Sequence, residues 1–250
     1  MAGEKEHGDH IVKSFDAQLE QLRTNIVRMG GLAEAQLSTA ITALVRRDSE
    51  LASKVVGHDA EIDKLEAEVD EGVVRLLALR QPMAVDLRDV LASLKIASDV
   101  ERIGDYVVNI AKRALALNQL PAVKPLYAIP RMADLVEASL KDVFDAMVER
   151  DVERAGEVWR RDEEVDEMYT SLFRELLTYM MEDPRSITSC THLLFIAKNI
   201  ERIGDHTTNI AEVVTYQVTG RSIEGGRPKG DTTSYTVVQP PEAEEEKSGE

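Results

Sequence analysis

Residues 96–111 (IASDVERIGDYVVNIA) return as residues 196–211 (IAKNIERIGDHTTNIA), 100 positions later, with ten of sixteen residues identical and the pentapeptide ERIGD intact in both copies. A repeat of this period means that one folding unit is present twice, and residues retained in both copies while their neighbours diverge are the first candidates for chemistry. A second correspondence extends the unit. HDAEID at 58–63 matches RDEEVD at 161–166 with an offset of 103, so the loop before the last helix of each unit differs by three residues.

The unit reads as helical. Leu19, Leu22, Ile26, Met29, Leu32, Ala33, Leu37, Ala40, Ile41 and Leu44 recur at spacings of three and four, the period of an amphipathic helix beginning near Phe15. Gly30 and Gly31 sit inside it, and two unfavourable residues there imply a bend or a close helix contact. Asp48 and Ser49 offer an N-cap for a second helix that ends near Arg80, because Pro82 forbids continuation. A third runs from about Val85 to Leu117. Pro121, Pro125 and Pro130 then mark a linker, after which the same order of three helices recurs, with Pro184 ahead of the last. Aromatic residues are only 4% of the chain while Leu, Val, Ile and Ala dominate, which suits helix-on-helix packing. The expected fold is all-α, a tandem repeat of two three-helix bundles (six long helices): residues 1–120 the first bundle, 121–130 a proline-rich linker, 131–219 the second bundle, and 220–250 a disordered acidic C-terminal tail.

A formal net charge of −16 argues against nucleic acid, since the chain is repelled by phosphodiesters and gains nothing from counterion release. The same charge and the lack of a long apolar run argue against direct membrane insertion. The polar N-terminus carries no apolar signal-peptide core, and the single Cys190 excludes an internal disulfide framework, so a cytoplasmic location is expected.

The repeated acids hold the chemical interest. With Val100 at 0° on a helix, Ile96, Ile103, Val107 and Ile110 fall between about 280° and 340°, while Glu101, Asp105 and Asn109 fall at about 100°, 140° and 180°, a polar ladder turned away from the apolar stripe. Glu201, Asp205 and Asn209 repeat it. Like charges four apart on a helix destabilise it slightly, so something should offset the repulsion. The middle helices carry the same device, Asp59 with Asp63 and Asp162 with Asp166, and in a three-helix bundle these acids can face those of the third helix. Carboxylates converging from two helices would form an oxygen-rich cage for a hard or borderline cation such as magnesium, manganese, iron or zinc, one cage per half. Acid pairs four apart arise by chance several times among 46 acids in 250 residues, and Lys198 or Lys112 could supply salt bridges instead. Chance does not explain why one ladder is kept in both halves while YVV becomes HTT beside it.

Other features are weaker. Arg102 and Arg202 could bind an anion such as phosphate or bridge to acids on neighbouring helices. Gly104 and Gly204 permit close helix approach. His206 is replaced by Tyr106 in the other copy, so a ligand role common to both halves is not expected, and Cys190 reads as a small buried hydrophobe. No glycine-rich phosphate loop and no repeated Ser/His/Asp arrangement is present, so an enzyme is not indicated. A metal store or di-metal carboxylate enzyme of the ferritin-like kind is the alternative, but neither ERIGD copy contains its Glu-x-x-His signature.

The opening FDAQLEQL at 15–22 with Met29-Gly30, the two helices bearing E(D)xxxD, and the closing NIAEVVTY at 209–216 together resemble the PhoU family. The resemblance spans residues from about 15 to 220. It implies tandem three-helix bundles, often dimeric, with metal sites on the bundle surface at Glu101, Asp105, Glu201 and Asp205 and at the matching Asp59, Asp63, Asp162 and Asp166; the ladder itself adds Asn109 and Asn209 as candidate supporting residues behind them. It also implies a non-catalytic adaptor that represses phosphate-starvation genes by contacting a phosphate ABC transporter ATPase subunit and a membrane sensor histidine kinase, peripheral at the inner membrane through those partners. Asp99 stands where the second copy has Asn199, so the two sites are expected to differ in charge. The acidic tail lies outside the family pattern.

Overall fold

A computed structural model describes residues 2–80, 82–122, 127–225, 227 and 230–237, with side chains described from Phe15 onward except at positions 59 and 80. Seven α-helices follow one another: α1 (Ala2–Arg46), α2 (Ser49–Gly57), α3 (Asp59–Arg80), α4 (Val85–Leu117), α5 (Ala128–Glu149), α6 (Val152–Glu182) and α7 (Ile187–Thr219). Short 3-10 turns occupy Pro184–Ser186 and Thr233–Tyr235, and there is no strand among the described residues. The first half is α1 to α4 and the second is α5 to α7. The expected six helices become seven because the second is interrupted at His58, where α2 stops and α3 starts.

The joints repeat as faithfully as the helices. Asp48 accepts hydrogen bonds from the amides of Glu50 and Leu51 at 2.9 and 3.0 Å, and Asp151, 103 positions on, accepts from Glu153 and Arg154 at the same two distances. Each cap satisfies amides that the first turn of its helix leaves without partners. The residue before each cap is an arginine in the left-handed region, Arg47 at φ 55° and Arg150 at φ 56°, a conformation that costs an L-residue about 1–2 kcal/mol. Both arginines put that geometry to use. Arg47 donates to the carbonyls of Leu117, Asn118 and Leu120, closing the C-terminus of α4, and Arg150 grips the buried carboxylate of Asp89 with both Nη atoms, at 2.9 and 3.1 Å.

Apolar stripes from all seven helices merge into one continuous core running through both halves. The halves meet chiefly along α4 and α7, the two ERIGD helices, with α1 also laid on α5. Gly30 makes that second contact possible, because a Cβ there would lie 2.5 Å from the Phe144 ring of α5, whereas one at Gly31 would meet nothing within 4 Å. Of the two sequence alternatives, close contact is the one realised. Gly104 serves the same end, with the Ile62 side chain 3.2 Å from where its Cβ would be, and so does Gly204, with the Asp162 carboxylate at 3.4 Å.

Two boundaries differ from those read in the sequence. Helix α1 starts at Ala2 rather than near Phe15, and α5 starts at Ala128, so Pro130 lies in its first turn instead of closing the linker. Proline is tolerated there because first-turn amides need no helical acceptor. Linker positions 123–126 lie outside the described residues, as do positions 238–250 of the acidic tail. Among the described residues of the tail the one regular element is a 3-10 turn, and residues 227 and 230–233 fold back onto α6 and α7.

Candidate functional site: two acidic helix faces

The first face lies between α3 and α4. Glu101 and Asp105 project from one turn of α4, and Asp63 projects from α3, where the Asp59 side chain lies outside the described residues. Two further acids that the sequence reading missed join them, Glu66 and Asp70, at three and seven residues from Asp63 and therefore on one side of α3. Burial first, then repulsion from Asp105, Glu66 and Asp63, pushes the Glu101 carboxyl above its ordinary range. Glu66 is raised for the same reasons, with Asp70 and Asp63 the main neighbours. One cation opposes them. Arg102 reaches Asp105 at 3.3 Å and Glu101 at 3.6 Å, bridging along its own helix rather than to a neighbouring one.

The second face, between α6 and α7, has the same frame and different contents. Tyr169 and Phe173 stand where the first face has Glu66 and Asp70, and Lys198 where it has Ser98. Lys198 Nζ lies 2.8 Å from Glu201 and 3.0 Å from Asp231. From the tail, Arg227 donates through Nε and Nη2 to Asp162 Oδ2 at 3.0 and 2.8 Å, and through Nη2 to Asp205 Oδ1 at 2.6 Å, so one guanidinium spans two helices. Asp166 accepts from the amides of Gly230 and Asp231 at 2.9 and 3.3 Å.

This overturns one expectation from the helical angles at Glu201. It is 5% exposed, as are Asp162 at 5% and Asp166 at 3% on the opposing helix, with the returning tail across them, while Asp205 in the same ladder keeps 30% of its side chain exposed. Burial raises the carboxyls of Asp162 and Asp166, and it pushes Glu201 up to about 7, against the pull of Lys198. Glu201 Oε2 is buried and has no hydrogen-bond partner among the described residues.

The neighbouring candidates have other employment. Asp99 does not join the first face. It meets the second half, accepting from Asn209 at 3.3 Å and lying 2.7 Å from His206 Nδ1, so its exchange for Asn199 alters the seam between the halves rather than the charge of a site. Tyr106 packs beside His206, and the Arg202 guanidinium lies 5.6 Å from the Tyr106 ring centre. Asn109 is exposed. Cys190 is buried, as expected.

The two faces fit a metal ion differently. The first sets five carboxylates against one guanidinium, that of Arg102, and so keeps an excess of negative charge and oxygen donors, the chemistry a hard or borderline cation requires. The second does not fit: a guanidinium and an ammonium already sit among its acids. Among the described residues no three His, Cys, Asp or Glu side chains are drawn together tightly enough to hold one ion.

The PhoU domain pattern matches residues 26–114 and again 129–214, one match for each half. The chain belongs to the PhoU family. The phosphate-specific transport system accessory protein PhoU homolog of Caulobacter vibrioides is 52% identical over 227 residues, covering 90% of this chain and 99% of that one. The homolog of the same name in Rhizobium meliloti is 50% identical, over 90% and 95% of the two chains. Among solved structures, PhoU from Pseudomonas aeruginosa superposes with a TM-score of 0.81 at 39% identity, covering 83% of this chain and all of that one. The PhoU regulatory protein from Streptococcus pneumoniae superposes at 0.78 with 30% identity. Both PhoU matches end before Arg227, so the residue that closes the second face lies beyond the family pattern.

Proposed function

We propose that this chain is a non-catalytic regulator of phosphate uptake, working as an adaptor between a phosphate ABC transporter and a sensor histidine kinase and holding phosphate-responsive genes down when phosphate is plentiful. The observation that carries the reading is that both halves match the PhoU pattern and that relatives matched over nearly their full length are phosphate-specific transport accessory proteins. No helix among the described residues is long and apolar enough to cross a membrane, which agrees with a protein that reaches a transporter through its subunits. On this reading it acts in the cytoplasm as a homodimer.

We propose the first acidic face as the cation site, where Glu101, Asp105 and Asp63 would draw closer than they now stand to share an iron, zinc, manganese or magnesium ion, with Glu66 and Asp70 adding charge. The alternative of a metal store or di-metal carboxylate enzyme needs acids inside the bundle. That space is filled instead by Val100, Ile103 and Val107 and by Ile200, Ile203 and Thr207, the last donating its hydroxyl to a backbone carbonyl.

Deleting the gene in its own host and following a phosphate-responsive reporter in high phosphate tests the function. Reporter activity should rise, and the intact gene should restore repression. The tagged protein should also retrieve the transporter ATPase and the kinase. An unchanged reporter, or retrieval of neither partner, overturns the proposal.

A further inference from the structure

The second half carries a cleft that the repeat does not require. A cavity of about 570 Å³ opens between the start of α6 and the chain leaving α7, within the size range of small-molecule sites. In the first half the equivalent junction is bridged, Asn118 Nδ2 donating to Ser49 Oγ at 3.0 Å. Val218 and Val152 stand at the matching positions and cannot make that bond.

The lining is equally particular to this half. Trp159, Arg160 and Arg221 stand where the first half has Val56, Gly57 and Pro121, so neither the indole nor the guanidiniums belong to the shared frame. Trp159 donates Nε1 to Glu212 at 3.0 Å, which fixes the indole as one wall. The Thr219 hydroxyl accepts from the Arg221 amide at 3.0 Å and holds the turn that brings Arg221, Ile223 and Glu224 to the cleft. Gly220 makes that turn in the left-handed region at φ 71°, and the Arg88 guanidinium lies 3.3 Å from where its Cβ would be, offsetting the negative end of the α7 dipole. Other arginines of α6 are committed, Arg154 to Asp145 and Glu149 and Arg161 to Asp142. Among the described residues Arg160 and Arg221 pair with no acid, in a chain of 46 acids and 30 bases.

We propose that this cleft binds a nucleoside phosphate, with Arg160 and Arg221 on the phosphate, Glu224 accepting from the ribose hydroxyls and the base lying along Trp159 and Ile223. Guanidiniums offer planar donor forks that suit phosphate oxygens, and an aromatic wall stacks any base. Inorganic phosphate alone leaves the indole and most of the volume unused. The net charge of −16 does not forbid an anion here, because at about 0.1 M salt exposed charges beyond roughly 10 Å are largely screened and the local cations decide. Arg221, Ile223 and Glu224 lie past residue 214, where the match to the PhoU pattern ends. The site rests on neither the regulatory role nor a bound metal.

Calorimetric titration of the full-length chain with ADP, in buffer containing chelator, tests this, and Trp159, the single tryptophan, gives a second readout by fluorescence. ADP should bind, with adenosine and inorganic phosphate each about tenfold or more weaker. Arg160→Gln and Arg221→Gln, changes at exposed positions that leave the helical circular dichroism intact, should each weaken ADP about tenfold. Gly156→Leu changes no charge and adds a side chain to the cleft wall, where a Cβ meets only the Arg160 guanidinium, at 3.5 Å; it should weaken ADP similarly. Lys112→Gln, on the exposed side of α4, should leave ADP affinity unchanged. No binding of ADP, GDP or UDP below about 1 mM overturns the proposal. So does phosphate binding as tight as that of ADP, or an ADP affinity unmoved by both arginine variants and Gly156→Leu.

Discussion

Gly30 and Gly31 stand side by side in α1 and should respond oppositely to one substitution. Gly30→Ala drives a methyl into the Phe144 ring and should cost about 1–3 kcal/mol, whereas Gly31→Ala meets open space and should gain up to about 1 kcal/mol from helix propensity. Urea unfolding of the two variants measures both; equal effects would mean that the α1–α5 contact is looser than drawn. Glu201 carries a pH signature. Its folded value near 7 lies above its ordinary 4.5, so between those limits the native chain keeps a proton that the unfolded chain has released. Its contribution to stability therefore falls as pH rises from about 5 to about 7, and Glu201→Gln should flatten that part of the stability profile. An identical slope in the variant would contradict the assignment. Glu101, Asp105, Glu201 and Asp205 were readable as a pair of ladders because repetition marked them. Glu66 and Asp70 were not, since Tyr169 and Phe173 replace them in the other copy and the search rested on what both copies share, although their spacing from Asp63 on α3 was a usable signal.

Helix limits set by a cap or a proline were legible: α3 ends at Arg80 and α4 spans Val85–Leu117 as the spacing predicts. The break between α2 and α3 was not, because Val55 and Ile62 keep a helical interval across His58. Long-range polar joints were equally hidden. Asp89 reads as one acid among many, yet it is buried between Arg150 and Arg23, the latter at 3.3 Å, and ties α4 to the end of α5 and to α1. Asp89→Ala leaves two half-exposed arginines to water and should cost about 2–3 kcal/mol in urea unfolding. A loss below about 0.5 kcal/mol, the range of an ordinary surface change, would show the joint to be decorative. Arg227 escaped detection for a related reason. It sits in a Gly-, Pro- and Thr-rich stretch, and nothing local marks its partners, which lie 65 and 22 residues away.

At the scale of the molecule the two halves share one core, so heating should produce a single transition whose calorimetric and van't Hoff enthalpies agree; two resolved transitions would show that the α4–α7 seam is weak. Duplication gave the halves one frame, and divergence then placed an open, repulsive face on the first and a closed, neutralised face on the second. A chain with a net charge of −16 thus concentrates unmet negative charge between α3 and α4, where a cation would relieve it. Carbodiimide labelling of carboxyl groups in the metal-free native protein, read residue by residue by mass spectrometry, tests this difference most directly. Asp63 and Asp105 should label readily while Asp162, Asp166 and Glu201 stay unmodified until the chain unfolds; equal labelling of the two faces would contradict the account.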